Sequence, residues 1–181
     1  MRKKILWITE TAVMLAMLVA LQAATKPLGQ WVTGSFVNAV LAITVLFAGL
    51  YSGLAVALIS PVMAFLLGIA PQILTVPAIM VGNSVFVTAL FLIAGKDSKK
   101  VLHQVIAWVV AAGAKFATLY AIVVWLICGV LSQKLLAAGT MKPPMLKALP
   151  VTFGITQLFT ALIGGAMALL IAPVLRKALR K

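Results

Sequence analysis

The sequence predicts an all-α, polytopic membrane protein, a compact bundle of six transmembrane helices with both termini in the cytoplasm. Of its 181 residues, 64% are hydrophobic and only 9% are charged, whereas soluble domains are about 45–50% apolar and about 25% charged. Apolar runs long enough to cross a bilayer recur along the whole chain, and most of the charges lie between these runs or at the ends. Residues 1–181 are therefore predicted to form a single transmembrane domain.

Glycines, prolines and charges divide the chain at the spacing that a membrane requires, because a crossing helix needs about 20 apolar residues. The first run follows Met1-Arg2-Lys3-Lys4 and is too long for a signal peptide, so we expect a membrane helix there. Gly49-Leu50-Tyr51-Ser52-Gly53 predicts a tight turn. The fifth span is too long for one perpendicular crossing, so it is expected to tilt, kink or protrude. The predicted spans are Ile5–Ala24, Ser35–Leu50, Gly53–Ile69, Leu74–Ala94, Val101–Leu131 and Leu149–Leu175.

The distribution of positive charge predicts the orientation. Six spans put both termini on one side of the membrane, together with the basic loop at residues 96–100. Most lysines and arginines lie on this side, which the positive-inside rule assigns to the cytoplasm. The net charge of +13 is then an orientation signal and an attraction to anionic lipid, and does not indicate a nucleic-acid partner. The cytoplasmic cations are Arg2, Lys3, Lys4, Lys96, Lys99, Lys100, Arg176, Lys177, Arg180 and Lys181.

Catalytic and metal-binding patterns are missing from the sequence. A single cysteine, Cys128, and a single histidine, His103, give no disulfide and no metal cluster. The two carboxylates, Glu10 and Asp97, are far apart in sequence, which disfavours paired-carboxylate catalysis. No nucleotide-binding Gly-Lys-Ser/Thr loop is present, so the chain is not expected to hydrolyse ATP. We expect no enzyme activity, cofactor or metal.

Lys115 is the most informative single residue, because it lies near the middle of the fifth predicted span. An isolated cation there costs at least about 2.5–3.5 kcal/mol. One interpretation is a lysine that snorkels along an overlong helix. The other is a cation that faces an aqueous pocket, where the absence of an acid at its depth favours an anionic or strongly polar ligand.

Further polar side chains concentrate in the half of the bundle that is predicted to face outward. Such residues often join membrane helices by hydrogen bonds, and Trp31 can also serve as an interfacial anchor. Their shared bias toward one leaflet instead predicts a pocket that is open to the outside and walled by helices. With Lys115, the candidate substrate-binding residues are Trp31, Asn38, Gln72, Asn83, Thr156 and Gln157.

Ala12, Ala16 and Ala20 place a small side chain on one face of the first helix at every fourth position. Small residues allow another helix to approach closely. The partner is either another helix of the same bundle or a separate subunit.

The whole pattern resembles the substrate-binding S components of energy-coupling factor (ECF) transporters. The alanine spacing at Ala12, Ala16 and Ala20 is similar to the Ala-x-x-x-Ala motif in the first helix of that family. Two further stretches read like family members, Gly49–Gly53 followed by Ser60–Gly68, and Pro77–Asn83. The resemblance covers nearly the full length of the chain.

The resemblance implies a bacterial plasma-membrane subunit that captures a vitamin or related micronutrient from outside. It implies two kinds of partner, a transmembrane coupling subunit that meets Ala12, Ala16 and Ala20, and two cytoplasmic ATPases. The family pattern assigns no ligand residues here, so the pocket candidates remain those named above. The main alternative is a stand-alone gradient-driven transporter or channel, although no intramembrane acid is available for ion coupling. A lipid-modifying enzyme and an assembly subunit are the remaining alternatives.

Overall fold

The structure is a computed structural model that describes residues 2–69, 72–95 and 101–179. Within these ranges the chain is helical and contains no strand. Two 3₁₀ turns, Lys26–Leu28 and Ile73–Thr75, precede α2 and α4, and a π-helical segment, Tyr120–Val130, continues α5. The α-helices are α1 (Arg2–Thr25), α2 (Gln30–Phe47), α3 (Leu50–Leu66), α4 (Val76–Ala94), α5 (Val101–Leu119), α6 (Ser132–Ala137), α7 (Pro143–Phe153) and α8 (Ile155–Leu179).

Five helical segments in the described ranges are long and apolar enough to cross a membrane. They are Lys4–Leu28, Gln30–Phe47, Ile73–Ala94, Val101–Val130 and Pro143–Leu175, and Leu50–Leu66 is a shorter apolar helix. The chain is therefore a multi-pass, all-helical membrane protein. The predicted basic loop at Lys96, Lys99 and Lys100 lies outside the described residues, as do Asp97, Arg180 and Lys181.

Several predicted boundaries need correction. The second helix begins at Gln30 rather than Ser35, because the chain needs only the 3₁₀ turn and Gly29 to reverse direction. The turn after it is shorter than predicted, since Gly49 has a φ of 93° and α3 already begins at Leu50. Glycine adopts this left-handed conformation without the steric cost that a side chain imposes.

The predicted span Leu149–Leu175 is not one helix. It is interrupted at Gly154, so its first residues belong to α7 and the rest to α8. Between the fifth and sixth predicted spans, residues 132–148 hold α6 and the first half of α7. Pro143 and Pro144 suit the start of α7, because a proline in the first turn of a helix loses no hydrogen bond.

The overlong fifth span changes its helical form along its length. From Tyr120 to Val130 it is a π-helix, in which hydrogen bonds reach one residue further than in an α-helix. This pattern continues at its end, where the Leu131 amide donates to the Leu126 carbonyl over 2.9 Å. Each turn of a π-helix is wider and holds more residues than a turn of an α-helix. The long span therefore covers a shorter distance along its axis than an α-helix of the same sequence.

Contacts between helices give their relative directions. α1 and α3 are parallel, because Thr11 Oγ1, in the first half of α1, donates to Ser52 Oγ near the start of α3, and Lys26 Nζ donates to the Gly68 carbonyl beyond the ends of both helices. The turn at Gly49 makes α2 antiparallel to α3. The end of α3 and the start of α2 therefore lie at the same end of the bundle.

α4 and α5 pack against each other along their lengths in opposite directions. A Cβ atom at Gly82 would lie 2.7 Å from Leu119 Cγ, and one residue later Asn83 contacts Lys115. Gly82 thus permits the close approach that brings Asn83 to Lys115.

α2 and α8 are parallel and come into close backbone contact at Gly164. A Cβ atom at Gly164 would collide with the Ser35 carbonyl and lie 2.8 Å from the Ala39 amide nitrogen. Beside this contact, Trp108 Nε1 donates to the Ala161 carbonyl over 3.2 Å. Since the obstructing atoms are backbone atoms, they cannot move aside without separating the helices.

Gly164→Ala is expected to lower stability by about 2 kcal/mol or more, in the range of overpacked interiors. The matched control is Gly113→Ala, because a Cβ atom at Gly113 meets nothing within 4 Å. That control should gain about 0.5–1 kcal/mol, as glycine is a poor residue inside a helix. Thermal unfolding of both variants in detergent checks the pair, and equal melting temperatures would refute the close packing of α2 on α8.

Candidate functional site

A cavity of about 290 Å³ opens between the helices at the end where α2, α4 and α8 begin and α3 ends. Four of the predicted site residues line it: Asn38, Asn83, Lys115 and Gln157. They come from α2, α4, α5 and α8, which the helix directions bring together at this depth. A helix-walled cavity of this kind is the usual form of a small-molecule site in a bundle.

Lys115 lies at the centre of this polar group. Its Nζ donates to Asn38 Oδ1 over 2.6 Å and to Asn83 Oδ1 over 2.7 Å, and it lies 5.7 Å from the centre of the Phe86 ring. The residue is only 2% exposed, so its side chain does not snorkel to the membrane surface. An ammonium has three N–H donors, and these two bonds use two of them.

Asn38 is itself fixed in place. Its Nδ2 donates to the Gly34 carbonyl over 2.9 Å and lies 3.5 Å from Thr160 Oγ1. The amide oxygen is thereby oriented toward Lys115. The lysine position is thus determined by three helices, which is the preorganisation that a specific site requires.

Most hydroxyl groups in the bundle satisfy themselves locally. Ser35, Thr44 and Ser84, for example, each donate to the carbonyl four residues earlier, which is the common solution in an apolar surrounding. Thr33 and Ser60 differ, because their buried hydroxyl oxygens have no hydrogen-bond partner among the described residues. Both residues line the cavity.

Gln22 adds a third unpaired group to the cavity wall. Its buried Oε1 also has no hydrogen-bond partner within the described ranges. A buried polar group without a partner costs about 1–3 kcal/mol. Three residues that line one cavity therefore each have an unpaired polar group.

The charges around the cavity have one sign. Lys26 lines its mouth and Lys115 its interior, and no acidic side chain lines it among the residues that the structure describes. Glu10 is exposed near the start of α1, far along that helix from Gln22 and Lys26. The partners of both lysines are neutral oxygens, of Gly68, Asn38 and Asn83.

Three predicted site residues lie outside the cavity lining. Trp31 is 51% exposed and packs on Phe159, with ring centroids 5.7 Å apart. Thr156 Oγ1 donates to the Val151 carbonyl, and this bond connects the end of α7 to α8. Gln72 has a buried Oε1 without a partner in the described part of the chain, but it does not border this cavity.

Sequence reasoning missed several cavity residues. One glutamine in an apolar helix, or one serine before a proline, is indistinguishable from a residue that only joins helices. The signal that was available is position, because each missed residue except Ser60 lies near a helix end on the predicted outer side. The missed polar residues are Gln22, Lys26, Gln30, Thr33, Ser60 and Thr152.

The alanine stripe of α1 points away from the bundle. Ala12, Ala16 and Ala20 are all exposed, whereas Thr11, Leu18 and other residues on the opposite side of the helix are buried. Internal packing, one of the two interpretations of this stripe, is therefore wrong for the described bundle. The face is free to contact lipid or a separate protein.

Comparison with protein-family models, with curated proteins and with solved structures gave no match to this chain.

Proposed function

We propose that the chain is the substrate-binding S component of an ECF transporter in a bacterial plasma membrane. In this role it captures a vitamin or related micronutrient from outside, at the cavity around Lys115. It then delivers the molecule inward together with a transmembrane coupling subunit and two cytoplasmic ATPases. The bundle crosses the membrane six times, with α3 as a short crossing, and both termini are cytoplasmic.

The observation that carries the proposal is the cavity itself. It combines a fixed buried cation, unpaired polar groups and a volume of about 290 Å³. In the proposed orientation, the cavity lies on the outer side, opposite the basic termini.

The alanine face of α1 supports the choice of a subunit over a stand-alone transporter. Three small side chains exposed at every fourth position let a partner helix approach closely. The resemblance to S components assigns this face to the coupling subunit, whose ATPases would supply the energy that this sequence has no motif to capture.

The first test is native mass spectrometry of the chain, purified in detergent from cells grown in rich medium. We expect one small organic molecule retained per protein, and we expect the same molecule to bind again after removal. Lys134→Met serves as a control preparation, since Lys134 lies on α6 and does not line the cavity.

A protein that is empty, and that stays empty with a panel of vitamins, would contradict the proposal. Uptake by proteoliposomes that contain this chain alone, driven by an ion gradient, would instead establish the stand-alone transporter.

A further inference from the structure

We propose that the ligand of this cavity is a small organic acid whose carboxylate binds the Lys115 ammonium. This inference rests on the proposed function, because it names the chemical class of the molecule captured at the same site. It predicts that the retained molecule carries a carboxylate, and that an uncharged derivative of it binds much more weakly.

The positive charge of Lys115 is not compensated by its partners. Lys115 is buried, and both of its hydrogen-bond partners are neutral amide oxygens. Neutral oxygens orient an ammonium without cancelling its charge, so the cost of burying a cation is only partly offset. An anionic ligand supplies the missing charge, whereas a neutral ligand leaves it in place and a cationic ligand repels it.

One N–H donor of the Lys115 ammonium remains available for a ligand. Asn38 and Asn83 use two of the three N–H groups of the ammonium, which leaves one for a ligand. One charged donor suits one oxygen of a carboxylate. A phosphate, with three oxygens and more charge, is usually bound by several donors or by a bidentate arginine, and no arginine lines the cavity in the described part of the chain.

Three further residues of the wall can contact the rest of the ligand. Gln22, Thr33 and Ser60, from α1, α2 and α3, line the cavity, and each has an oxygen without a hydrogen-bond partner in the described ranges. The glutamine oxygen accepts hydrogen bonds, and the hydroxyls donate or accept. They suit hydroxyl or amide groups on the part of the acid beyond its carboxylate.

Helix dipoles do not decide the sign of the site. The positive starts of α2, α4 and α8 and the negative ends of α1, α3 and α7 all lie at this end of the bundle, so their contributions oppose each other. The lysine side chains therefore determine the sign. Lys26 at the mouth adds a second positive charge on the path by which an anion enters.

The cavity volume favours a small acid. A volume of about 290 Å³ lies at the lower end of the range of ligand pockets, which is about 300–1,000 Å³.

The experiment compares acids with matched uncharged partners on the intact protein. The pairs are nicotinate with nicotinamide, pantothenate with panthenol, and biotin with its amide, together with the retained molecule and its methyl ester. Isothermal titration in detergent measures each affinity. For the molecule that binds, we expect the acid to bind at least tenfold more tightly than its uncharged partner, a result that requires no variant.

Asn83→Asp then tests the role of the charge. Asn83 Oδ1 accepts a hydrogen bond from Lys115. Aspartate and asparagine have almost the same shape, so the substitution places a carboxylate beside the ammonium. We expect the acid to bind at least a hundredfold more weakly and its uncharged partner to change less than tenfold. Asn83→Ala removes the same oxygen without adding charge, so it should preserve the preference for the acid.

The results of these experiments distinguish a failure of the inference from a failure of the proposed function. A retained molecule that is neutral, cationic or a phosphate would overturn the inference and leave the proposed binding function intact. The same conclusion would follow if acid and uncharged partner bound equally, or if Asn83→Asp bound the acid as tightly as the original chain. A protein that binds nothing would overturn the proposed function, and this inference with it.

Discussion

Lys115→Met is expected to weaken ligand binding by about a hundredfold while changing the melting temperature little. A hydrogen bond to a charged group contributes about 1.5–3 kcal/mol, which corresponds to roughly 10- to 150-fold in affinity. Methionine fills a similar volume, but it has no donor for the ligand or for the oxygens of Asn38 and Asn83.

Two opposing effects keep the stability of this variant near that of the original chain. The substitution leaves two amide oxygens unpaired, at about 1–3 kcal/mol each. It also removes a cation whose cost within a membrane is at least about 2.5–3.5 kcal/mol. A loss of binding therefore reports on the site rather than on unfolding.

Titration of the retained ligand into detergent-purified protein measures the effect. Lys134→Met is the matched control, because it makes the same change of charge at an exposed position on α6, and its affinity should be unchanged. Unchanged affinity in Lys115→Met would remove Lys115 from the binding site.

Ala16→Trp is expected to abolish assembly with the coupling subunit and reduce ATP-dependent uptake more than tenfold, while ligand binding stays intact. Ala16 lies in the middle of the exposed alanine face of α1 and does not line the cavity. An indole there holds a partner helix away from a surface that depends on small residues for close approach. Co-purification with the coupling subunit and uptake of labelled ligand are the two measurements.

Val109→Trp is the control for the general effect of a large aromatic residue on the outer surface. Val109 is exposed on α5, and its variant should assemble and transport normally. If Ala16→Trp also did so, the alanine face would not be the docking surface, although the cavity could still bind its ligand.

The elements of the site were visible in the sequence, but their arrangement was not. Lys115 was notable because a lysine within an apolar helix is costly, and Asn38 and Asn83 because they lie with other polar residues in the predicted outer half of the bundle. Periodicity contains no information about contacts between residues 77 and 32 positions apart. That these two amides bind the lysine follows only from the packing of α2, α4 and α5.

The sequence predicted the parts of the fold that depend on the length of an apolar run. It did not predict the parts that depend on backbone geometry. Apolar runs indicated the helices from α1 to α5 with errors of a few residues at their ends. The break at Gly154 was missed because the residues on both sides are equally apolar. The π-helical form of Tyr120–Val130 was also missed, since the same residues suit an α-helix.

The apolar half of the bundle has a consequence for permeability. On the side of the cavity toward the chain termini, the core is filled by side chains without measurable exposure, such as Leu18, Leu41, Val45 and Phe86. Such interiors are packed as densely as organic crystals, so the cavity is closed at its base. Vesicles that contain only this protein should therefore hold an ion gradient, and a molecule at Lys115 can reach the far side only if the helices, or the protein as a whole, move.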